Sequence, residues 1–174
     1  MRAIRVRNQR GFSLLETMMA VAILLVALAA VMSLFTVAVS QNANQGEFAT
    51  RATEYAQDKM EQLLALNYVD AATNTTVYPP TPGGGTGLGG AAIAVGSAVG
   101  GINTASPVNG YVDYLGAKGN LLPNATGWFY KRQWQIDQVA TDLKRISVIA
   151  TVRSQAGRGI LPSTTLVCLK ANLP

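Results

Sequence analysis

The stretch 18–39 holds 22 residues with no charged side chain, no glycine and no proline, and it limits what this chain can fold into. At ~1.5 Å rise per residue it makes about 33 Å of helix, and the hydrocarbon core of a bilayer is roughly 30 Å thick. A membrane-spanning helix over 12–39 is therefore expected. Glu16 is the only charge between Phe12 and Val39. An acidic side chain carried to the centre of such a helix costs about 2.5–3.5 kcal/mol, so a cationic partner is expected whenever Glu16 leaves the membrane interface. The alternative is a carboxylate that snorkels to the headgroups.

The chain has 174 residues, room for one globular domain once the span is set aside. Its formal net charge is +5, but Arg2, Arg5, Arg7 and Arg10 all lie in the first eleven residues, and without them the charge is +1. The basicity thus belongs to a leader, residues 1–11, whose positive residues hold the N-terminus on the cytoplasmic side. No basic stripe of the kind that binds phosphates remains, which argues against a nucleic-acid partner.

Cys168 is the single cysteine and histidine is absent. An intramolecular disulfide is ruled out, and Cys168 reads as an inert thiol on a strand. Ser-His and Cys-His nucleophile arrangements and the usual zinc sites are gone with the histidines. No short Asp-rich loop offers calcium its converging oxygens. The sequence therefore predicts no enzyme, no catalytic residue, no cofactor and no metal. The competing class is an anchored periplasmic enzyme using a Ser-Lys pair or the carboxylates Asp113, Asp137 and Asp142, which no motif brings together.

Residues 1–30 also fit a secretory signal peptide cut near Ala30, but the apolar run continues through Val31, Leu34, Phe35, Val37 and Val39, past the 7–15 residues usual for such a core. Over 40–69 the chain turns polar yet keeps a helical rhythm. Phe48, Ala52, Ala56, Met60 and Leu63 share one stripe, widened by Leu64 and Leu66. Glu47 and Arg51, and Arg51 and Glu54, are spaced for same-face ion pairs. Asn42, Asn44 and Gly46 form the weakest stretch, and the helix is expected to end near Tyr68.

The stripe needs a partner, and 128–174 supplies a sheet. Residues 128–136 alternate Trp128, Tyr130, Arg132, Trp134 and Ile136 against polar neighbours, 145–153 alternate again, and 164–170 form a third run reached through a glycine-containing link at 155–159. Three such strands make an antiparallel meander able to cover the helix. Trp128 and Trp134 read as core rather than as a ligand platform. The region 70–127 is a Gly/Pro-rich connection, with nine glycines in 79–101, read as a surface excursion with short strands within 91–99 and at 111–115. The fold class is α+β.

The leader ending in Gly11, the Phe12 start, Glu16 five residues into the mature chain and the apolar helix together resemble the N-terminus of type IV pilins and type II secretion pseudopilins. A looser similarity to PilV-type minor pilins extends over 55–68, through Ala56-Gln57-Asp58-Lys59-Met60-Glu61-Gln62-Leu63, and over the strands around Trp134 and 146–152. The resemblance implies a long N-terminal helix packed on a C-terminal sheet, cleavage by a prepilin peptidase between Gly11 and Phe12, N-methylation of Phe12, and a role for Glu16 in subunit assembly by attracting a neighbour's terminal amine. An intramolecular pairing of Phe12 with Glu16, four residues on, is the alternative before assembly. The implied partners are other pilin subunits, the peptidase and an inner-membrane assembly platform. Major pilins commonly carry a helix-bending proline where Ser33 stands and a C-terminal disulfide that Cys168 cannot form, so the resemblance favours a minor pilin of the type IV pilus, with a minor pseudopilin as the alternative. It also implies a single-pass inner-membrane protein with a periplasmic C-terminal domain, later carried into a surface filament.

Overall fold

A computed structural model describes residues 11–90, 93–153 and 162–172. The basic leader before Gly11, the link at 155–159 and the start of the apolar island at 91–92 lie outside the described residues. One helix, α1 (Leu14–Ala65), is followed by eight strands: β1 (Thr73–Asn74), β2 (Thr81–Gly84), β3 (Ala98–Gly100), β4 (Val112–Leu115), β5 (Leu121–Leu122), β6 (Tyr130–Ala140), β7 (Leu143–Val152) and β8 (Ser163–Ala171). The architecture is α+β, as expected. The chain divides into two units, Met1–Asn44 and Gln45–Pro174.

In the first unit residues 11–43 are all exposed, including Leu24, Leu28, Met32 and Phe35. Helix is assigned without interruption through Asn42, Asn44 and Gly46. The helical hydroxyls in this apolar region return to the backbone: Thr17 Oγ1 donates to Leu14 O, Ser33 Oγ to Ala30 O and Thr36 Oγ1 to Met32 O, at 2.8–2.9 Å. A helix that satisfies its own polar groups in this way suits hydrocarbon. By length and composition α1 is able to cross a membrane.

The second unit has a core in which Ala52, Ala56, Met60 and Leu63 of α1 meet Tyr130, Trp134, Ile136, Ile146, Val148 and Ala150 of the sheet. These helix residues follow the three- and four-residue spacing of the apolar stripe, which is why this face is the one buried. The sheet is antiparallel, in the order β5-β4-β6-β7-β8. The meander expected of the last three strands is present, and β6 gains two more partners on its other edge. There β4 pairs with residues 130–133 and β3 with 135–137. Gly100 allows the second contact: its φ is +78°, and a Cβ would stand 2.5 Å from the carbonyl oxygen of Trp134.

Some features depart from the sequence pattern. Strand β6 starts at Tyr130, so Trp128 precedes the strand instead of joining the core. It is half-buried, with the Lys131 ammonium and the Arg153 guanidinium each 5.5 Å from its ring centre. Gln133, one of the polar residues in the alternation of 128–136, is fully buried, and residues 103–104 supply acceptors beside it. Its Nε2 donates to Asn103 O, and Lys131 Nζ donates to Thr104 O. Helix α1 stops at Ala65, short of Tyr68. Its last turn holds no basic residue; instead Lys170 on β8 donates to the carbonyls of Leu64 and Leu66, satisfying acceptors that helix ends leave open.

The glycine-rich connection is held by Lys144. This buried side chain donates to Tyr68 O (2.7 Å), Leu88 O (3.1 Å) and Gly90 O (2.8 Å) and lies 4.5 Å from the Tyr68 ring centre. Asp70 closes the adjoining turn, accepting from Ala72 N, Thr73 N and Thr73 Oγ1. These bonds hold its carboxyl below the usual carboxylate value despite partial burial.

Candidate functional site

The N-terminal segment places three residues in sequence. Gly11, Phe12 and Ser13 precede the helix, and the Ser13 carbonyl accepts the first helical bonds, from Glu16 N (3.0 Å) and Thr17 N (3.2 Å). Ser13 thus stands at the N-cap and Glu16 in the first turn, where the positive end of the helix dipole favours a carboxylate. The Ser13-x-x-Glu16 spacing is that of a capping box, a start signal that periodicity alone does not reveal. Because α1 opens at Leu14, Phe12 lies outside the helix and not on one helical face with Glu16.

Gly11 is informative for what does not require it. Its φ lies outside the left-handed region, and a Cβ added there would meet nothing within 4 Å. Neither conformation nor packing therefore demands glycine. Phe12 is 81% exposed, and the Glu16 carboxylate is also exposed. Among the described residues Glu16 has no ion-pair partner.

The carboxylates considered for catalysis lie in different settings. Asp113 on β4 is buried and accepts Arg132 Nε and Nη2 at 2.8 Å each, while Lys59 Nζ lies 2.7 Å from its Oδ2. Lys59 also donates to Thr75 O (2.6 Å) and stands 4.6 Å from the Trp134 ring centre. Arg132 reaches Asp58 of α1 as well, at 2.6 Å. Burial lowers the Lys59 ammonium below its ordinary value, with Asp113 opposing. Burial also disfavours the Arg132 charge, but Asp113 and Asp58 outweigh it and hold the guanidinium above its ordinary value. Asp137 accepts from Arg145 Nε (2.9 Å) and Gln135 Nε2 (2.6 Å), and Asp142 is exposed in the β6–β7 turn. Asp113 thus locks α1 to the sheet, the buried Asp137 pairs with the half-exposed Arg145 on the neighbouring strand, and the three do not converge. Cys168 is a free, half-buried thiol on β8.

No curated protein and no solved structure matches the chain. Residues 6–32 match the family model described as the prokaryotic N-terminal methylation motif. That segment contains Gly11, Phe12, the helix start and Glu16, and with the exposed apolar helix it is compatible with anchoring in the inner membrane. The match supports a type IV pilin-like or pseudopilin protein, and the motif suggests processing by a prepilin peptidase and assembly with other pilin subunits.

Proposed function

We propose that this chain is a minor pilin of the type IV pilus, with PilV-type minor pilins its nearest kind, acting in pilus assembly or tip priming as a structural subunit and not as an enzyme. The peptidase cuts between Gly11 and Phe12, Phe12 becomes the N-methylated terminus, and Glu16 attracts the terminal amine of a neighbouring subunit. The chain waits in the inner membrane with its C-terminal domain in the periplasm until an assembly platform draws it into the filament. The observation that carries this reading is Glu16, the one charge at the head of an exposed apolar helix within the methylation motif. In an apolar filament core an unpaired carboxylate is costly, and a terminal amine four positions upstream in a neighbour supplies the missing cation. The saturated partners of Asp113 and the separation of Asp137 and Asp142 support a role without catalysis.

A minor pseudopilin of a type II secretion system shares this N-terminus. The long glycine-rich connection and the chain length lean toward the pilus. The deciding experiment compares the N-terminal peptide, by mass spectrometry, in protein from membranes and from sheared surface filaments. A peptide starting at Phe12 with one added methyl, present in filaments, is expected. A start at Met1, or near Ala30, would overturn the reading.

A further inference from the structure

We propose that Asn109 is a self-modifying site: in the folded chain its carboxamide is attacked by the backbone nitrogen of Gly110, and the residue ends as isoaspartate or aspartate, with a carboxylate in the cleft beside β1 and β2. The inference holds whatever assembly the chain joins. Asn109 is the one asparagine followed directly by glycine, so only there does the attacking nitrogen belong to a residue with no side chain to hinder the approach.

The fold leaves both reacting groups free. Tyr111 N donates to Val108 O at 3.1 Å, closing a turn whose central residues are Asn109 and Gly110. Among the described residues the Gly110 N–H donates to no acceptor, and the Asn109 carboxamide makes no hydrogen bond. Other asparagines are held: Asn74 Oδ1 accepts from Thr76 N and Oγ1, Asn103 Oδ1 from Ala105 N and Asn124 Oδ1 from Thr126 N, each fixing the carboxamide against its own turn. Residues 103–109 are all exposed, so water and hydroxide reach the pair. Gly110 itself is demanded by the backbone, with φ at +81° and a Cβ that would stand 3.1 Å from Thr86 Cγ2. The turn thus fixes one half of the labile pair, and asparagine at 109 completes it.

The reaction needs only water. Hydroxide takes the Gly110 amide proton, the nitrogen bonds to Asn109 Cγ, and the Cγ–Nδ2 bond breaks. The departing amide takes a proton from water and leaves as ammonia, and a five-membered cyclic imide remains. Water then adds to one of the two imide carbonyls. Opening at the main-chain carbonyl leaves Gly110 joined through Cγ, as isoaspartate; opening at Cγ leaves aspartate. Nothing is oxidised or reduced, and either product carries one new negative charge at neutral pH.

The cleft that receives this charge has a volume of about 290 Å³ and is lined also by Asn74, Thr76, Gly84, Gly85, Thr86 and Gly110, all uncharged. Isoaspartate does more than add charge, because it inserts a methylene into the main chain just before Gly110. The Gly110 carbonyl accepts from Thr86 Oγ1 at 3.2 Å, and the next residue, Tyr111, is buried with its ring 6.3 Å from that of Trp134. The longer backbone cannot keep both contacts.

The test ages the purified full chain in detergent at mildly alkaline pH, folded and in parallel unfolded in urea, and maps its peptides by mass spectrometry with fragmentation that separates isoaspartate from aspartate. In the folded chain Asn109 should convert at least about tenfold faster than any other asparagine, and within about tenfold of its own rate in urea. One ammonia should be released per converted chain, faster as the pH rises. Asn109→Gln, whose longer side chain would have to close a six-membered ring, should stay unconverted and melt like the parent. The isoaspartate form, separated by ion exchange, should have a lower urea midpoint than Asn109→Asp, which has the charge without the added methylene. Conversion in urea but not in the folded chain, or faster conversion of another asparagine in the folded chain, overturns the proposal. Equal urea midpoints for the isoaspartate form and Asn109→Asp would overturn the loss of the Thr86 contact.

Discussion

Gly11 and Asp113 are single residues whose surroundings state different requirements. Since nothing among the described residues needs glycine at position 11, replacing Gly11 with a bulky residue should leave folding and membrane insertion unchanged. It should, however, give an uncut precursor, eleven residues longer on a gel or in a mass spectrum. Cleavage of that variant at the same bond would remove the glycine's proposed role. Asp113 is the reverse case. Asp113→Ala leaves Lys59 and Arg132 buried without their shared carboxylate, and breaking a buried ion pair from one side costs about 3–5 kcal/mol. Denaturant unfolding should show that loss; a change under 1 kcal/mol, within the range of an exposed pair, would mean that water already screens the site. Asp113 was visible in the sequence as an acid of unknown purpose. Its partner Lys59 lies on the buried face of α1, three residues after Ala56 and four before Leu63, a position that the apolar stripe alone does not single out. Which group meets that lysine depends on the strand register that brings Asp113 and Arg132 together.

Among the elements, the buried face of α1 is the most readable. Ala52 and Ala56 have no exposed surface, and their small size sets how closely the helix approaches β6 and β7. Ala56→Leu should therefore destabilise by about 1–3 kcal/mol through overpacking, measured as a lower urea midpoint, whereas the same change at exposed Ala65 should leave the midpoint unmoved. The strands β6, β7 and β8 were legible from their alternation. The connecting region was less so, because its order comes from distant partners: β1 and β2 pair only with each other, and the segment between Tyr68 and Gly90 is tied to Lys144, more than fifty residues later in the chain. Local turn chemistry cannot announce a lysine that binds three carbonyls from across the fold. The same holds for the end of α1, which is completed by Lys170 on β8 rather than by a residue of its own.

For the whole molecule, pH joins these buried lysines into one measurable trend. Burial lowers Lys59, Lys131, Lys144 and Lys170 below the ordinary lysine value of 10.5, with the positive charge of Lys170 adding to the effect on Lys144. Each binds its proton more weakly folded than unfolded, so below 10.5 the unfolded chain holds more protons and stability rises with pH. Tyr130, raised by burial above its ordinary 10.0, pulls the other way once the pH passes that value. The urea midpoint of the full chain in detergent should thus be higher at about pH 9.5 than at about pH 8; a fall across that interval would show that loss of the Lys59 to Asp113 attraction dominates. Assembly is tested on the same scale by Glu16→Ala, expected to process and insert normally while being depleted from filaments. Equal recovery with the parent would remove the proposed pairing with a neighbour's amine. The ion lock between α1 and the sheet has a final consequence. Ala52, Ala56 and Met60 recur every four residues, so a helix shifted by one turn along the sheet would still place apolar groups over much of the same surface. Lys59 does not recur: such a shift would move it by about 6 Å away from Asp113, leaving a buried ammonium without its carboxylate while Asp113 keeps only Arg132. The salt bridge acts like the single notch on an otherwise uniform ruler.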